Sequence, residues 1–247
     1  MDGPTTLPAP PPLGALLAAG PLALFIDFDG TLVEIAADPD AIVVPPALVE
    51  GLEALRDRLG GRLSLVSGRA LDDIAGHLGP LALARAGSHG LHRVHSDGRL
   101  AGTVPEPLPE TVVTRLRQFA QDHDLRYEAK SHGGALHYRR RPECAELAQA
   151  FAASLAKEHG LAVKRGKSVA ELVRQGASKE GAVRAFMNEP PFAGAMPVFV
   201  GDDVTDEDGF AGAQSYGGFG IAVGERPSAR ARYRLDSVAA VHNWLEI

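Results

Sequence analysis

Leu22-Ala23-Leu24-Phe25-Ile26 is an unbroken apolar run, and it ends directly on Asp27-Phe28-Asp29-Gly30-Thr31. The run has the length of a buried strand, and two carboxylates at its end rarely serve packing alone. In extended geometry residues i and i+2 share a side, so Asp27 and Asp29 are expected next to each other. They would sit at the strand's C-terminal edge, where open α/β sheets bind their ligands. Two like charges that close must be relieved by a cation or a shared proton.

The rest of the chain can house such a sheet. Its 247 residues suffice for one large domain or two modest ones, and a hydrophobic content of 45% excludes general disorder. A net charge of −6 disfavours nucleic acid or an anionic membrane as partner, so an anionic substrate would have to be held by local charges. The only cysteine, Cys144, excludes an internal disulfide and a cysteine-held metal, and points to a reducing compartment. Residues Met1 to Pro12 are Pro-rich and expected to be unstructured. No Lys or Arg precedes Arg56, so a signal peptide would lack its basic region, and Gly20-Pro21 cuts the apolar stretch from Leu13 to Ile26. No run approaches the ~20 residues of a membrane span. These features predict a soluble, cytoplasmic protein.

Apolar periodicity predicts alternating elements. After the first strand comes a helix near Ala47–Leu59 with Leu48, Leu52, Leu55 and Leu59 on one face, strand Leu63–Val66, a helix over Ala70–Leu78, and the short run Leu81–Ala86. This βαβα rhythm predicts a parallel sheet flanked by helices. The rhythm changes at Pro105-Glu106-Pro107-Leu108-Pro109, a hinge-like segment. Helix Glu110–His123, strands Leu125–Lys130 and Ala135–Arg139, helix Pro142–His159, and strands Ala162–Lys164 and Ser168–Leu172 then suggest a small α+β unit. From Ser178 the first pattern returns: helix Ser178–Asn188, strand Val198–Val200, a helix near Asp206–Ala213, strand Gly220–Val223 and helix Val238–Glu246. The expected organisation is a tail over 1–17, a core over 18–104 and 175–247, and an inserted α+β domain over 105–174.

Four features fall where a predicted strand ends or the next helix begins. They are Asp27-x-Asp29-Gly30-Thr31, Ser67-Gly68-Arg69, Lys179, and Gly201-Asp202-Asp203-Val204-Thr205-Asp206-Glu207. Hydroxyl and amide groups entering a helix suit phosphate oxygens. Lysine offers a mobile point charge. Acidic groups from two strands can make an oxygen-rich site for a hard cation such as Mg²⁺. Singly, most have plain readings: Asp-Gly marks a turn, Lys179 a solvated helix residue, and Asp206 and Glu207 a helix start. Together and in this order they point to phosphate chemistry.

The set resembles the haloacid dehalogenase-type phosphatases, whose nucleophile motif is Asp-x-Asp-Gly-Thr. It is most similar to the trehalose-6-phosphate phosphatase family, over about Leu22 to Leu245. The matching stretches are Phe25–Leu32, Val66–Arg69, His89-Gly90, Glu128-Ala129-Lys130, Leu136–Arg139, Gly166–Glu171, Ser178-Lys179 and, most specifically, Gly201–Glu207. The resemblance implies a Rossmann-like α/β parallel-sheet core of haloacid dehalogenase type with an inserted α+β cap. It implies a Mg²⁺-dependent phosphatase that releases trehalose and phosphate through an aspartyl-phosphate.

By that resemblance Asp27 is the nucleophile and Asp29 the general acid and base. The cation is held by Asp27, the Asp29 carbonyl and Asp202, with Asp203 and Asp206 supporting it. Ser67, Gly68 and Lys179 would bind phosphate. Glu128, Lys130 and Glu171 would read the distant glucose unit, with Arg69, Arg139 and Lys167 adding contacts. On pattern alone the charged residues of the inserted domain suit ordinary exposed cross-strand ion pairs better than sugar contacts, and the resemblance reverses that order. His89 reads equally well as a loop histidine or a substrate ligand, and Arg93 as a solvated residue or a phosphate contact. The implied partner is a small phosphosugar, with a separate synthase as a candidate protein partner. The alternatives are a phosphatase of sucrose 6-phosphate or mannosyl-3-phosphoglycerate, and a non-catalytic sugar-phosphate sensor or regulatory subunit.

Overall fold

The computed structural model describes residues 7–36, 41–166 and 168–247. Along the chain, α1 (Leu13–Ala19) leads into β1 (Leu22–Ile26), followed by α2 (Leu48–Arg58), β2 (Leu63–Val66), α3 (Leu71–Leu78), β3 (Ala84–Gly87) and β4 (His92–Val94). Then come α4 (Glu110–Asp122), β5 (Arg126–Lys130), β6 (Gly133–His137), α5 (Ala145–His159), β7 (Leu161–Gly166) and β8 (Val169–Arg174). The last part holds α6 (Lys179–Met187), β9 (Met196–Gly201), α7 (Asp206–Ser215), β10 (Phe219–Val223), β11 (Ala231–Leu235) and α8 (Val238–Leu245).

The larger sheet runs β11-β10-β9-β1-β2-β3-β4, with every pairing parallel except β3 to β4. Alternate residues of β1 leave it on opposite faces, and both faces are covered, which is why the strand reads as continuously apolar. Leu22, Leu24 and Ile26 join a core with Leu52 and Leu55 of α2, Ile74 of α3 and Val241 of α8. Ala23 and Phe25 pack against Val183 and Phe186 of α6 and Phe210 of α7. Chain order reverses at β1, because β2 lies on one side and β9 on the other. This switch point leaves a crevice at the strands' carboxyl ends.

The second sheet, β5-β6-β8-β7, is antiparallel throughout. Leu136, Ala170, Leu172 and Leu161 pack against Val112 and Leu116 of α4 and Ala152 and Leu155 of α5. The opposite face carries one cross-strand row, Glu128–Ala135–Glu171–Lys164, with Lys130 and His137 beside it.

Several elements differ from the pattern's expectation. β6 begins at Gly133 rather than Ala135 and stops at His137 rather than Arg139. Glycine is a poor strand former, but a Cβ at Gly134 would lie 3.0 Å from Leu116 Cδ1 and from Tyr127 Oη. Close packing of α4 thus selects glycine inside this strand. Pro142–Cys144 forms a 3-10 turn before α5 rather than its first turn. The edge strands β4 and β11 carry little periodicity and were not expected. Residues 7–12 are also not unstructured. Pro8 O accepts the Arg234 amide of edge strand β11 at 3.0 Å, and Pro11 O accepts Trp244 Nε1 at 2.8 Å. Prolines lack donors but keep their carbonyls, which here satisfy donors of the core. No helix among the described residues is long and apolar enough to cross a membrane.

Candidate active site

Asp27 immediately follows β1, and its amide continues the ladder by donating to Val200 O at 2.9 Å. Its carboxylate is buried and accepts from Lys179 Nζ at 2.8 Å through Oδ1. Lys179, the first residue of α6, is 3% exposed and also donates to Asp206 Oδ1 at 2.6 Å. Burial pulls the Lys179 ammonium down, but Asp206 and Asp27 more than offset that and hold it above its ordinary pKa. Burial pushes Asp27 well above the usual carboxylate range, with Lys179 opposing and Asp206 and Asp202 adding to the rise.

Asp27, Asp202 and Asp206 each bring one carboxylate oxygen within 4.8 Å of the others. Burial, then Asp206 and Asp203, push Asp202 up to about 7. Its Oδ1 is buried with no hydrogen-bond partner among the described residues. A Cβ at Gly30 would overlap the Asp202 carboxylate, and Gly30 holds φ +77, so glycine serves both the turn and this approach. Crowded carboxylates, an orphaned oxygen and a cleared wall fit a hard divalent cation. Asp206 is the most committed of the three, since Lys179 takes Oδ1 and the Asp203 amide donates to Oδ2 at 2.9 Å.

Asp29 does not share this cluster. β1 ends at Ile26, and the chain turns so that Leu32 N donates to Phe28 O at 2.9 Å. The extended geometry that would set Asp27 and Asp29 side by side is lost there. Arg69 instead holds both Asp29 oxygens, through Nε and Nη2 at 2.7 Å each, and gives Nη1 to Asp73 at 2.7 Å. Ser67 immediately follows β2, and its Oγ accepts the Arg69 amide at 3.1 Å. Gly68 faces the His89 ring, whose Cε1 would lie 2.8 Å from an added Cβ.

Across one cavity of about 1320 Å³, these groups meet the open face of the small sheet. Lys130 Nζ donates to Glu171 Oε2 at 2.7 Å, and His137 Nε2 to Glu128 Oε2 at 2.6 Å. His89 Nε2 lies 3.2 Å from the same Glu171 oxygen, joining the two sheets. Burial would raise Glu171, but Lys130 and His89 prevail and lower it to about 2. Carboxylates and ammonium groups in one wall can accept from and donate to hydroxyls.

Comparison with known proteins gives this arrangement a family. A family model described as trehalose-phosphatase matches residues 25–239. The chain belongs to the trehalose-phosphatase family. A trehalose-6-phosphate phosphatase of Escherichia coli (strain K12) is 36% identical over 228 residues, which cover 91% of this chain and 85% of that protein. A probable trehalose-phosphate phosphatase of Sinorhizobium fredii is 39% identical over 222 residues, covering 87% and 82%. The solved C-terminal domain of a Candida albicans trehalose-6-phosphate phosphatase matches the fold with a TM-score of 0.81 at 21% identity, over 98% of both chains. Membership of the trehalose-phosphatase family makes this chain a phosphatase.

Within this family member most of the expected site residues line the one cavity: Asp27, Asp29, Ser67, Gly68, Arg69, His89, Glu128, Lys130, Arg139, Glu171, Lys179, Asp202 and Asp203. Arg139 sits at the rim, its Nη1 donating to Ala36 O at 3.3 Å. Arg93 is not brought into it. On edge strand β4 it donates to Gly90 O and Ala101 O, because an edge strand leaves loop carbonyls within reach of a long side chain. Lys167 lies outside the described residues. Two further cavity residues, His137 and Arg226, were given no role beforehand, although His137 lies within the matching stretch Leu136–Arg139. His137 could have been found from the two-residue turn at Ser131-His132, which puts it on the Glu128 face. Arg226, in the loop after β10, left no local signal.

Proposed function

We propose that this chain hydrolyses trehalose 6-phosphate to trehalose and phosphate, the last step of trehalose biosynthesis, through an aspartyl-phosphate on Asp27. The observation that carries the reading is the shared cavity. Phosphate chemistry around Asp27 and Lys179 occupies one wall, and Glu128, Lys130, His137 and Glu171 occupy the other.

Ser67 Oγ, the Gly68 amide and Lys179 hold the phosphate oxygens. An Asp27 oxygen attacks phosphorus, the bond to the sugar oxygen breaks, and that oxygen takes a proton from Asp29. Asp29 then removes a proton from water, whose oxygen attacks phosphorus. The Asp27 oxygen–phosphorus bond breaks, and phosphate leaves with the carboxylate restored. Arg69 engages each Asp29 oxygen through one lone pair and leaves the other for the proton, while Asp73 helps to hold the guanidinium in place. Asp27, Asp202 and the Asp29 carbonyl would hold Mg²⁺, which when bound neutralises charge between nucleophile and phosphate. Residues 105–174 serve as a cap that excludes water and selects the sugar.

The test is phosphate release from trehalose 6-phosphate, glucose 6-phosphate and sucrose 6-phosphate, with and without EDTA. A strong, EDTA-sensitive preference for trehalose 6-phosphate is expected. Equal turnover of all three would overturn the substrate assignment and leave the phosphatase chemistry standing.

A further inference from the structure

The loop from Asp202 to Glu207 packs four carboxylates into six residues; Lys179 holds Asp206, while one guanidinium from another element takes the carbonyls of both Asp202 and Asp203. Arg226 Nε donates to Asp202 O at 3.0 Å, and Nη2 donates to Asp203 O at 3.0 Å and to Glu207 Oε1 at 2.9 Å. Its remaining nitrogen, Nη1, closes on its own turn at Pro227 O, 2.8 Å away. The arginine is itself braced, since Arg234 donates to Arg226 O at 3.1 Å and to Gly224 O at 2.9 Å. Glu207 Oε2 accepts the Arg230 amide at 3.0 Å, so the two loops are sewn together at both ends. Holding the Asp202 carbonyl fixes the peptide plane that leaves the Asp202 Cα, and holding the Asp203 carbonyl fixes the plane after it, so the backbone that carries the Asp202 side chain is braced from one side. That carboxylate then faces Gly30, where no side chain stands in its way.

We infer that Arg226 is a positioning residue for the divalent cation: it holds the Asp202–Asp203 backbone so that the Asp202 carboxylate is set for metal before metal arrives. The inference rests on the metal reading given under Proposed function. Only a planar fork can span two successive carbonyls and a carboxylate, so lysine cannot replace it fully. Groups that orient a metal ligand typically change metal affinity ~10–100-fold when removed.

The experiment uses the full chain as wild type, R226A and R226K. Mg²⁺ affinity is measured by calorimetry without substrate, and amide hydrogen exchange over residues 202–207 is followed in EDTA. R226A is expected to bind Mg²⁺ at least ~10-fold more weakly and to exchange faster in that loop than elsewhere, with R226K between. Its lost turnover is expected to return at high Mg²⁺, a rescue that general destabilisation would not show. If R226A does not fold, R226K carries the same comparison, because it keeps the charge and the alkyl stem. Wild type that binds no Mg²⁺ would overturn the metal reading and this inference with it. Wild type that binds, alongside a folded variant of unchanged affinity, would overturn the role of Arg226 alone.

Discussion

Lys179 Nζ and Asp27 Oδ1 lie 2.8 Å apart, although 152 positions separate them in the chain. The pair is buried, and the same ammonium serves Asp206 at 2.6 Å. One cation therefore answers two buried carboxylates, one of them at the end of the central strand. Removing one member of a buried pair strands the other, at a cost of ~3–5 kcal/mol. K179M is accordingly expected to lower the melting temperature by roughly 10 °C when measured in EDTA. A melting temperature within a degree or two of wild type would show that the pair contributes little to the fold.

Asp27 and Asp29 have different neighbours, so their variants should fail differently. D27N is expected to lose turnover by at least ~10⁴-fold, since covalent attack is removed outright. Circular dichroism should remain that of the wild type, and mass spectrometry should show no deamidation. D29N removes the proposed acid and base while Arg69 keeps Asp73, and should lose ~10²–10⁴-fold. Normal turnover by a D27N sample free of deamidation would end the proposed mechanism.

The small sheet should govern which phosphoester is used. E128Q and H137A are expected to lower kcat/KM for trehalose 6-phosphate ~10²-fold or more while leaving p-nitrophenyl phosphate nearly unaffected, because site groups built for hydroxyls discriminate through unpaired partners. Equal losses on both substrates would place these residues in the phosphate chemistry or in folding.

Glu171 predicts part of the acid sensitivity. Its carboxyl is lowered to about 2 in the folded protein from an ordinary value of 4.5. A lowered folded value means that the unfolded chain binds the proton more readily. The stabilisation from this group is then fully present above about pH 4.5 and is lost as pH falls towards 2. Urea unfolding of E171Q and wild type at pH 7, 4 and 3 should show a gap that narrows with acidification. A gap independent of pH would mean that the Glu171 charge adds nothing to stability.

Metal removal supplies another check. Phosphate release should stop in EDTA and return with Mg²⁺, and D202N should need at least ~10-fold more Mg²⁺ for half-maximal rate, as expected when a ligand to the ion is lost. Full activity in EDTA would remove the cation from the reaction.

Much of this molecule is legible along the chain because its signals are local. Leu22–Ile26 is apolar throughout because both faces of β1 are covered, and the α2 leucines repeat at helical spacing because one side meets that layer. The motifs at Asp27, Ser67, Lys179 and Asp202 could be placed because each adjoins such an element. The edge strands β4 and β11 were hidden, being short and only partly covered, so neither periodicity marks them. Gly133-Gly134 looked like a turn because nothing in the sequence shows that α4 presses against that position.

The amino-acid sequence by itself determined the order of the elements other than α1, β4 and β11, the acidic and phosphate-binding motifs, and the polar face of the inserted sheet. Tertiary structure decided which carboxylate each cation serves. Asp27 and Asp29 stand two positions apart, yet the turn after β1 gives one to Lys179 and the other to Arg69. It likewise brought Arg226 to the Asp202 loop. The physical reason is range: periodicity and motif spacing report on neighbours within a turn or a strand, whereas these ion pairs and hydrogen bonds form between strand ends that only the sheet's topology brings together.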